Sequence, residues 1–430
     1  MRKTLASLLL ALCFVYTYAQ KPVLTPGSPE ASGMSSERLQ RIDRVVQDYI
    51  SKGWLTGASA FISRNGKIVY HKAFGQNDID TKSPMSKDAI YRIASQTKAI
   101  TSVAVMMLFE EGRFLLDEPI SKYIPEFKNP QVLDKFNEKD TTFTAVPAKR
   151  EVTIRHLLTH TSGISYASIG TKEANAIYAK YKIPSGIGTP NDKLSDKIPA
   201  LGKLPLMHQP GEKWTYGLNT DVLGYLVEVV SGQSLDQFFR TRIFEPLGMK
   251  DTYFYLPTDK HNRLAVLYAE KDGKVSKMQA QGSSSPDYPN QPGTYYSGGA
   301  GLSSTAYDYA IFLQMMLNGG EYNGKRLLSP ATVRMMTTNQ VGLMYNGTNK
   351  FGLGFGIADE REAARIPISE GSFSWGGYFG TTYWADPKEG IIALIMTQQV
   401  PNSHGDLSDK YRVLVYQAIT NSQEPMLSGK

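Results

Sequence analysis

The spacing of apolar residues changes along the chain and predicts where helices and strands lie. After Ser36, apolar residues recur at intervals of three and four, which predicts an amphipathic helix that begins at this serine. Residues 94–111 are apolar on nearly every side of a helix, as is typical of a helix buried inside a large protein. Further helices are predicted at 221–230, which Gly232 closes, at 306–317 and at 409–420.

Strands are predicted near both ends of the chain. Residues 58–62 and 67–72 flank Asn65-Gly66, a pair that favours a two-residue hairpin turn. From residue 351 onward apolar and polar residues alternate, and this pattern predicts strands at 351–357, 372–375, 381–385 and 391–397. Residues 165–202 are polar and contain Gly and Pro, so we interpret them as an inserted loop and helix region.

This distribution predicts an α/β fold with an all-α lobe, in which both ends of the chain build one sheet and helices are inserted between them. The 430 residues, of which 41% are hydrophobic, are enough for such a core. We assign 35–422 to one domain, with a sheet lobe at about 35–115 and 296–422 and a helical lobe at about 116–295. Residues 20–34 are an N-terminal leader and 423–430 a C-terminal tail.

Residues 1–19 have the order basic, apolar, small that is typical of a secretory signal peptide. Arg2 and Lys3 precede a mostly apolar stretch at 5–18, and Ala19 marks the predicted cleavage point. A buried N-terminal helix is the alternative, but it does not explain this order. The protein is therefore expected to be exported, to the periplasm or to the medium. No later apolar run is long enough to predict a membrane span.

The cysteine and the net charge exclude several kinds of protein. Cys13 is the one cysteine, and Leu12 before it is too large for a good lipoprotein-processing site, so a lipoprotein is not favoured. Cleavage after Ala19 would leave no thiol for a disulfide, a nucleophile or a metal site. The net charge of +7 falls to +5 without Arg2 and Lys3, with 45 basic and 40 acidic residues. These charges are scattered, so no nucleic-acid partner is expected.

Ser95 and Lys98 are the first candidates for catalytic residues. A Ser-x-x-Lys spacing on a helix places the lysine one turn from the serine, on the same face. A buried lysine can accept a proton from a serine, and free N–H groups at a helix start can stabilise an oxyanion. The alternative is that Ser95 caps the helix and Lys98 points to solvent. The apolar surroundings of Lys98 argue against it, because a buried lysine needs a partner or a role.

Two later segments offer further candidates. Tyr216 could act as a general base beside Lys98, or it could be an ordinary core tyrosine. Trp375-Gly376-Gly377 places two glycines in a predicted strand, which suits either close approach of a substrate or a β-bulge.

Two common kinds of active site are not supported. His156 and His160 have the i, i+4 spacing of a zinc pair, but the glutamate of HExxH and a third ligand are missing, so structural roles are favoured. There is no G-x-S-x-G elbow of the α/β-hydrolases.

Together these segments resemble the serine β-lactamase and penicillin-binding protein superfamily, most closely the family VIII carboxylesterases of its class C-like branch. The resemblance runs from about 35 to about 420 and includes five short segments, in this order. They are residues 91–100, 153–163, 221–224, 297–302 and 375–377.

The resemblance implies a β-lactamase/DD-peptidase-like fold with an antiparallel sheet flanked by helices. It implies that Ser95 is acylated, that Lys98 accepts its proton, and that Tyr216 also activates the deacylating water. The backbone N–H groups of Ser95 and Tyr378 correspond to the oxyanion hole. No metal or organic cofactor is implied.

The sequence departs from the family pattern at two places. In the Tyr-x-Asn motif Leu218 replaces the asparagine, and Asn219 is displaced by one position. Trp375 stands where β-lactamases and D-peptidases carry the lysine of Lys-Thr-Gly, which attracts a substrate carboxylate. An indole packs instead against an apolar group. There is also no Glu-x-x-Leu-Asn, so a class A deacylating glutamate is not supported.

These features predict an exported serine hydrolase that cleaves small esters, with Trp375, Gly376, Gly377 and Asn219 as substrate-binding residues. Amide hydrolysis or acyl transfer would use the same site. A β-lactamase or a D-amino-acid peptidase, such as a DD-carboxypeptidase acting on cell-wall peptides, is the alternative enzyme. An inactive wall-binding or sensor homologue is the alternative of another class, which the intact Ser95, Lys98 and Tyr216 argue against. The sequence carries no indication of oligomeric state.

Overall fold

The computed structural model describes residues 21–280, 285–345 and 350–422, so the predicted signal peptide and Cys13 lie outside the described residues. The α-helices, in chain order, are α1 Ser36–Ser51, α2 Thr97–Glu110, α3 Ile154–Leu158, α4 Lys172–Lys180, α5 Leu194–Gly202, α6 Asn219–Ser231, α7 Leu235–Phe239, α8 Glu245–Leu247, α9 Ala306–Leu317, α10 Pro330–Met336, α11 Glu360–Ala363 and α12 Leu407–Tyr416. None of the helices in these residues is long and apolar enough to cross a membrane.

The strands are mostly short and concentrate toward the two ends of the chain. They are β1 Thr25–Pro26, β2 Gly57–Arg64, β3 Lys67–Asp78, β4 Ser83–Pro84, β5 Tyr91–Arg92, β6 Gln131–Asn137, β7 Thr142–Pro147, β8 Tyr268–Lys271, β9 Lys274–Lys277, β10 Ser303–Ser304, β11 Glu321–Tyr322, β12 Lys325–Arg326, β13 Lys350–Phe351, β14 Gly356–Ile357, β15 Phe373–Gly376, β16 Thr382–Asp386 and β17 Ile391–Met396.

A nine-stranded sheet joins the two ends of the chain, as the strand pattern predicts. Its order is β1-β3-β2-β17-β16-β15-β14-β13, and β4 pairs with β3. The N-terminal hairpin meets the C-terminal strands where β2 pairs with β17. The pairings are antiparallel except at the edge, where β1 runs parallel to β3, so the sheet is mixed. The hairpin turn lies at Asn65-Gly66, whose φ angles of 51° and 76° suit the residues that occupy it.

Side chains of β17 point alternately to the two faces of the sheet and contribute to a hydrophobic core on each face. Ile391 and Ile395 pack with α1 and α12 on one face. Ile392 and Leu394 face the larger core, which contains α2, α6 and α9. Because β17 is covered on both faces, it is apolar throughout and fully buried.

Helix α2 is the central element of the larger core. Every residue from Thr97 to Leu108 is buried, so the helix is enclosed by the protein on all sides. The helix begins three residues later than predicted, because a 3-10 turn at Ala94–Gln96 precedes it. Ala94 takes a left-handed φ of 42°, an unfavourable conformation for a residue with a Cβ, directly before Ser95.

Two regions differ from the sequence prediction. Residues 351–357 do not form one strand: β13 and β14 pair antiparallel across a turn in which Gly354 has a φ of 90°. The middle of the chain is not purely helical, since it contains the hairpins β6–β7 and β8–β9. Asp272-Gly273 forms the second turn with φ angles of 51° and 73°, a hairpin signal that the sequence contained.

Candidate active site

Ser95 and Lys98 lie together at the start of α2. Ser95 is in the 3-10 turn and Lys98 is in the first turn of the helix, so Lys98 Nζ lies 3.2 Å from Ser95 Oγ. Within residues 91–100, Ser95 is the one side chain that keeps partial exposure. Lys98 is 2% exposed, which excludes the alternative in which it points to solvent. The hydroxyl of Ser95 is therefore accessible from outside, whereas the amine of Lys98 is buried.

The partners of Lys98 are uncharged. Its ammonium donates to the hydroxyl of Tyr166 at 2.8 Å and to the carbonyl of Gly299 at 2.7 Å. In the described parts of the chain no carboxylate lies within ion-pair distance of it. These contacts leave Lys98 anchored on two sides and directed at Ser95 on the third.

Tyr216 covers Lys98 from the segment before α6. The ammonium lies 4.6 Å from the centre of its ring. The indole Nε1–H of Trp375 donates to the Tyr216 hydroxyl at 3.3 Å. Tyr166 also shares a hydrogen bond with Tyr216, and burial, with the neighbouring Tyr216 and Asp221, raises the pKa of Tyr166 well above its usual value. Two neutral donors therefore approach the oxygen of Tyr216, where they would stabilise negative charge.

Tyr166 is a site residue that the sequence interpretation missed. It follows the segment 153–163 by three positions and lies in the region interpreted as an insertion. A single tyrosine in a polar loop has no periodic signal, and its contact with Lys98 depends on tertiary packing across 68 positions of the chain.

The end of β15 lies against the turn that carries Ser95. A Cβ on Gly377 would come within 2.5 Å of the carbonyl of Ile93, so glycine permits this approach. The backbone N–H groups of Ser95 and Tyr378 donate to no other group among the residues described. Both amides are thus free to bind an oxyanion. The Tyr378 side chain is 53% exposed.

Aromatic side chains form one wall of the site. Tyr216 packs on Trp214 and Trp375, and Phe351 contacts both tryptophans. A cavity of about 220 Å³ adjoins Trp375, with Glu362 and Arg412 among its lining residues. The surface near Ser95 is thus largely aromatic, and charged groups line the cavity that adjoins Trp375.

Asn219 is not brought into the site, which corrects its assignment as a substrate-binding residue. It is the first residue of α6 and is fully buried. Its side chain accepts a hydrogen bond from Ser162 and contacts Nδ1 of His160 at 2.9 Å. Leu218 is buried too, so neither residue supplies the amide of the usual Tyr-x-Asn motif to a substrate.

The two histidines of the possible zinc pair have structural contacts. His156 and Thr153 form a capping box at the start of α3, with both hydrogen bonds 3.2 Å long. His160 packs between Trp214 and Phe351. Burial, followed by the charge of Lys98, lowers the pKa of His160 well below its usual value. Among the residues that the structure describes, no cluster of three or more His, Cys, Asp or Glu could hold a metal.

We expect the protein to lose stability as the pH falls below 6.5, partly through His156. Burial, followed by the charge of Arg150, lowers the pKa of His156 to about 4, whereas the unfolded chain binds this proton near 6.5. The contribution of the neutral His156 to the free energy of unfolding is therefore fully present above pH 6.5. It declines as the pH falls toward 4. The exchange His156→Gln keeps the capping box but removes this titration. The loss of unfolding free energy between neutral pH and about pH 5 should therefore be smaller by about 1 to 2 kcal/mol than in the wild type.

Thermal unfolding at several pH values would measure this difference. His404→Gln, a change at a histidine that stacks on Trp54, is the control and should leave the slope unaltered. An identical decline in the wild type and in His156→Gln would contradict the assignment.

Comparison with known proteins decides the family. The family model described as Beta-lactamase matches residues 42–418. The chain belongs to the Beta-lactamase family. Esterase EstB of Burkholderia gladioli is 31% identical over 393 residues, which cover 87% of this chain and 94% of EstB. A putative D-alanyl-D-alanine carboxypeptidase of Escherichia coli O157:H7 is 30% identical over 426 residues, which cover 94% of this chain and 92% of that protein.

The solved structures place this Beta-lactamase family member among serine hydrolases. EstCE1, a hydrolase with promiscuous acyltransferase activity, superimposes with a TM-score of 0.76 at 27% identity, covering 88% of this chain and 99% of EstCE1. The resemblance to β-lactamases and penicillin-binding proteins is thereby confirmed, as is the fold. The protein is a serine hydrolase of this family.

Proposed function

We propose that this Beta-lactamase family enzyme is an exported esterase that hydrolyses small, uncharged esters through an acyl-enzyme on Ser95. The observation that carries the proposal is the partly exposed Ser95 hydroxyl 3.2 Å from a buried lysine amine, beside an aromatic wall. The esterase relatives agree with it. Export follows from the basic, apolar and small order of residues 1–19.

Acylation begins when Ser95 Oγ attacks the acyl carbon and its proton passes to the neutral amine of Lys98. The negative oxygen of the tetrahedral intermediate accepts hydrogen bonds from the amides of Ser95 and Tyr378. When the intermediate collapses, the bond to the alcohol oxygen breaks and the proton leaves with the alcohol. The acyl group is then bonded to Ser95 Oγ.

Deacylation repeats these steps with water as the nucleophile. Tyr216 passes its hydroxyl proton toward the neutral amine of Lys98 and takes a proton from the water, aided by the donors Trp375 and Tyr166. The hydroxyl oxygen attacks the acyl carbon, the bond to Ser95 Oγ breaks, and the serine recovers the proton. An alcohol in place of water would give acyl transfer.

Trp375 supports esters over β-lactams, because it occupies the position of the carboxylate-binding lysine and packs against Phe351 and Tyr216. One observation favours the alternative, a β-lactamase or DD-carboxypeptidase. Arg412 lines the cavity beside Trp375 and could attract a substrate carboxylate, although Glu362 in the same cavity opposes this.

The proposal is tested by comparing p-nitrophenyl butyrate, a chromogenic cephalosporin and a peptide ending in D-Ala-D-Ala. We expect kcat/KM for the ester to exceed that for the cephalosporin by about 100-fold or more, because the wall near the nucleophile lacks the usual cation. A preference for the cephalosporin or the peptide would select the alternative. No turnover and no covalent labelling by a fluorophosphonate would indicate an inactive homologue.

Replacing Trp375 by phenylalanine should separate its two contributions. Trp375→Phe keeps an apolar ring but removes the donor to Tyr216, so kcat for the butyrate ester should fall about 5- to 10-fold with little change in KM. Trp375→Ala should also raise KM, since the apolar wall is lost. Steady-state kinetics of both variants would measure these changes. A KM of Trp375→Ala equal to that of the wild type would show that Trp375 does not contribute to substrate binding.

A further inference from the structure

Asp221 is a buried carboxylate near the site that the proposed mechanism does not use. It lies in the first turn of α6 and is fully buried. Ser297 Oγ donates to its Oδ1 at 2.6 Å and the amide of Gly299 faces it, while its Oδ2 has no hydrogen-bond partner among the residues described. Burying a carboxylate in a hydrophobic core costs free energy that one hydrogen bond offsets only in part, so its presence here needs an explanation.

The carboxylate holds the turn that anchors Lys98. The amide of Gly299 faces Asp221, and its carbonyl accepts the ammonium of Lys98 at 2.7 Å. A Cβ on Gly299 would lie 2.4 Å from Oδ2 of Asp221 and 3.6 Å from Nζ of Lys98, so little space separates the two side chains. The adjacent Gly298 is bound to α2 by Thr101, whose hydroxyl donates to its carbonyl at 2.6 Å.

We propose that Asp221 is a positioning residue that holds Lys98 in place through the Ser297–Gly299 turn and balances its charge. The inference rests on the proposed role of Lys98 as the proton acceptor. The neighbouring titratable groups are the hydroxyls of Tyr166, Tyr216 and Tyr295 and the ring of His160. None of them carries a fixed negative charge, so Asp221 provides the carboxylate that lies near the ammonium of Lys98.

The exchange Asp221→Asn keeps the shape and removes the charge. The exchange removes a negative charge close to the site, which makes proton loss from the site easier at lower pH. The acidic limb of the kcat/KM profile should therefore move to lower pH by about one unit. At the plateau kcat should fall about 10-fold or more, with KM changed less than about threefold, because the turn that holds Lys98 is less firmly fixed.

Ser297→Ala and Asp236→Asn complete the experiment. Ser297→Ala removes a contact of the turn but keeps the carboxylate, so kcat should fall while the acidic limb stays in place. Asp236 occupies the first turn of α7, and Asp236→Asn should change neither quantity.

The inference fails if the acidic limb of Asp221→Asn matches the wild type. It also fails if kcat drops only in proportion to a fall in thermal stability, which would indicate a purely structural residue. If Asp221→Asn does not fold, Ser297→Ala provides the test. An unchanged kcat in that variant would show that the Ser297–Gly299 turn does not hold Lys98 in place. Retained activity in Lys98→Met would instead reject the proposed function itself.

Discussion

The Ser95→Ala enzyme should hydrolyse p-nitrophenyl butyrate at least about 10⁴-fold more slowly than the wild type, with KM nearly unchanged. Alanine removes the oxygen that attacks the acyl carbon, while the free amides of Ser95 and Tyr378 and the aromatic wall remain. The loss therefore falls on kcat. Mass spectrometry of the quenched reaction should show the added acyl group on the wild type and not on the variant.

Ser102 provides a matched control for this exchange. It is buried on the same helix as Lys98 and takes no part in the proposed mechanism. Ser102→Ala should retain kcat within about twofold of the wild type. Ester hydrolysis at the wild-type rate in Ser95→Ala would show that another residue is the nucleophile.

Replacing Lys98 by methionine should lower kcat by about 10³-fold or more. Methionine has a similar length and suits a site that is 2% exposed, so the fold and KM should change little. It cannot accept the proton of Ser95, and the contacts to Tyr166 and Gly299 are lost.

Burst kinetics identify which step fails in this variant. If Lys98 acts in acylation, the rapid release of nitrophenol should be lost together with the steady-state rate. A burst of normal size with slow turnover would assign Lys98 to deacylation only. Lys203→Met, at an exposed position after α5, is the control and should behave as the wild type.

The elements that the sequence predicted well have strong local signals. Asn65 and Gly66 readily adopt the left-handed backbone conformation that this turn requires, and the apolar run at residues 103–108 indicated a buried helix. The pairing of Ser95 with Lys98 follows from helical spacing, so the sequence was sufficient to place them together.

The remaining features of the site depend on contacts between distant segments. Asn219 looked like a displaced motif residue, yet the start of α6 turns it into the core against His160. Tyr166 contacts Lys98 from a loop, and Asp221 lies near Lys98 on a second helix; neither position has a periodic pattern that indicates it. Residues 351–357 contain alternating apolar residues, but their glycines allow a turn that divides the expected strand.

The pairing of β2 with β17 has a consequence for synthesis of the protein. Ser95 and Lys98 leave the ribosome early, whereas Trp375, the amide of Tyr378 and the strand that completes the sheet follow almost 300 residues later. Under the proposed mechanism the nascent chain therefore carries its nucleophile long before it has an oxyanion hole. A chain that is interrupted before β15 exposes the long, apolar edge of β2 and, under the same proposal, has no hydrolytic activity, so activity would report that translation has passed β15.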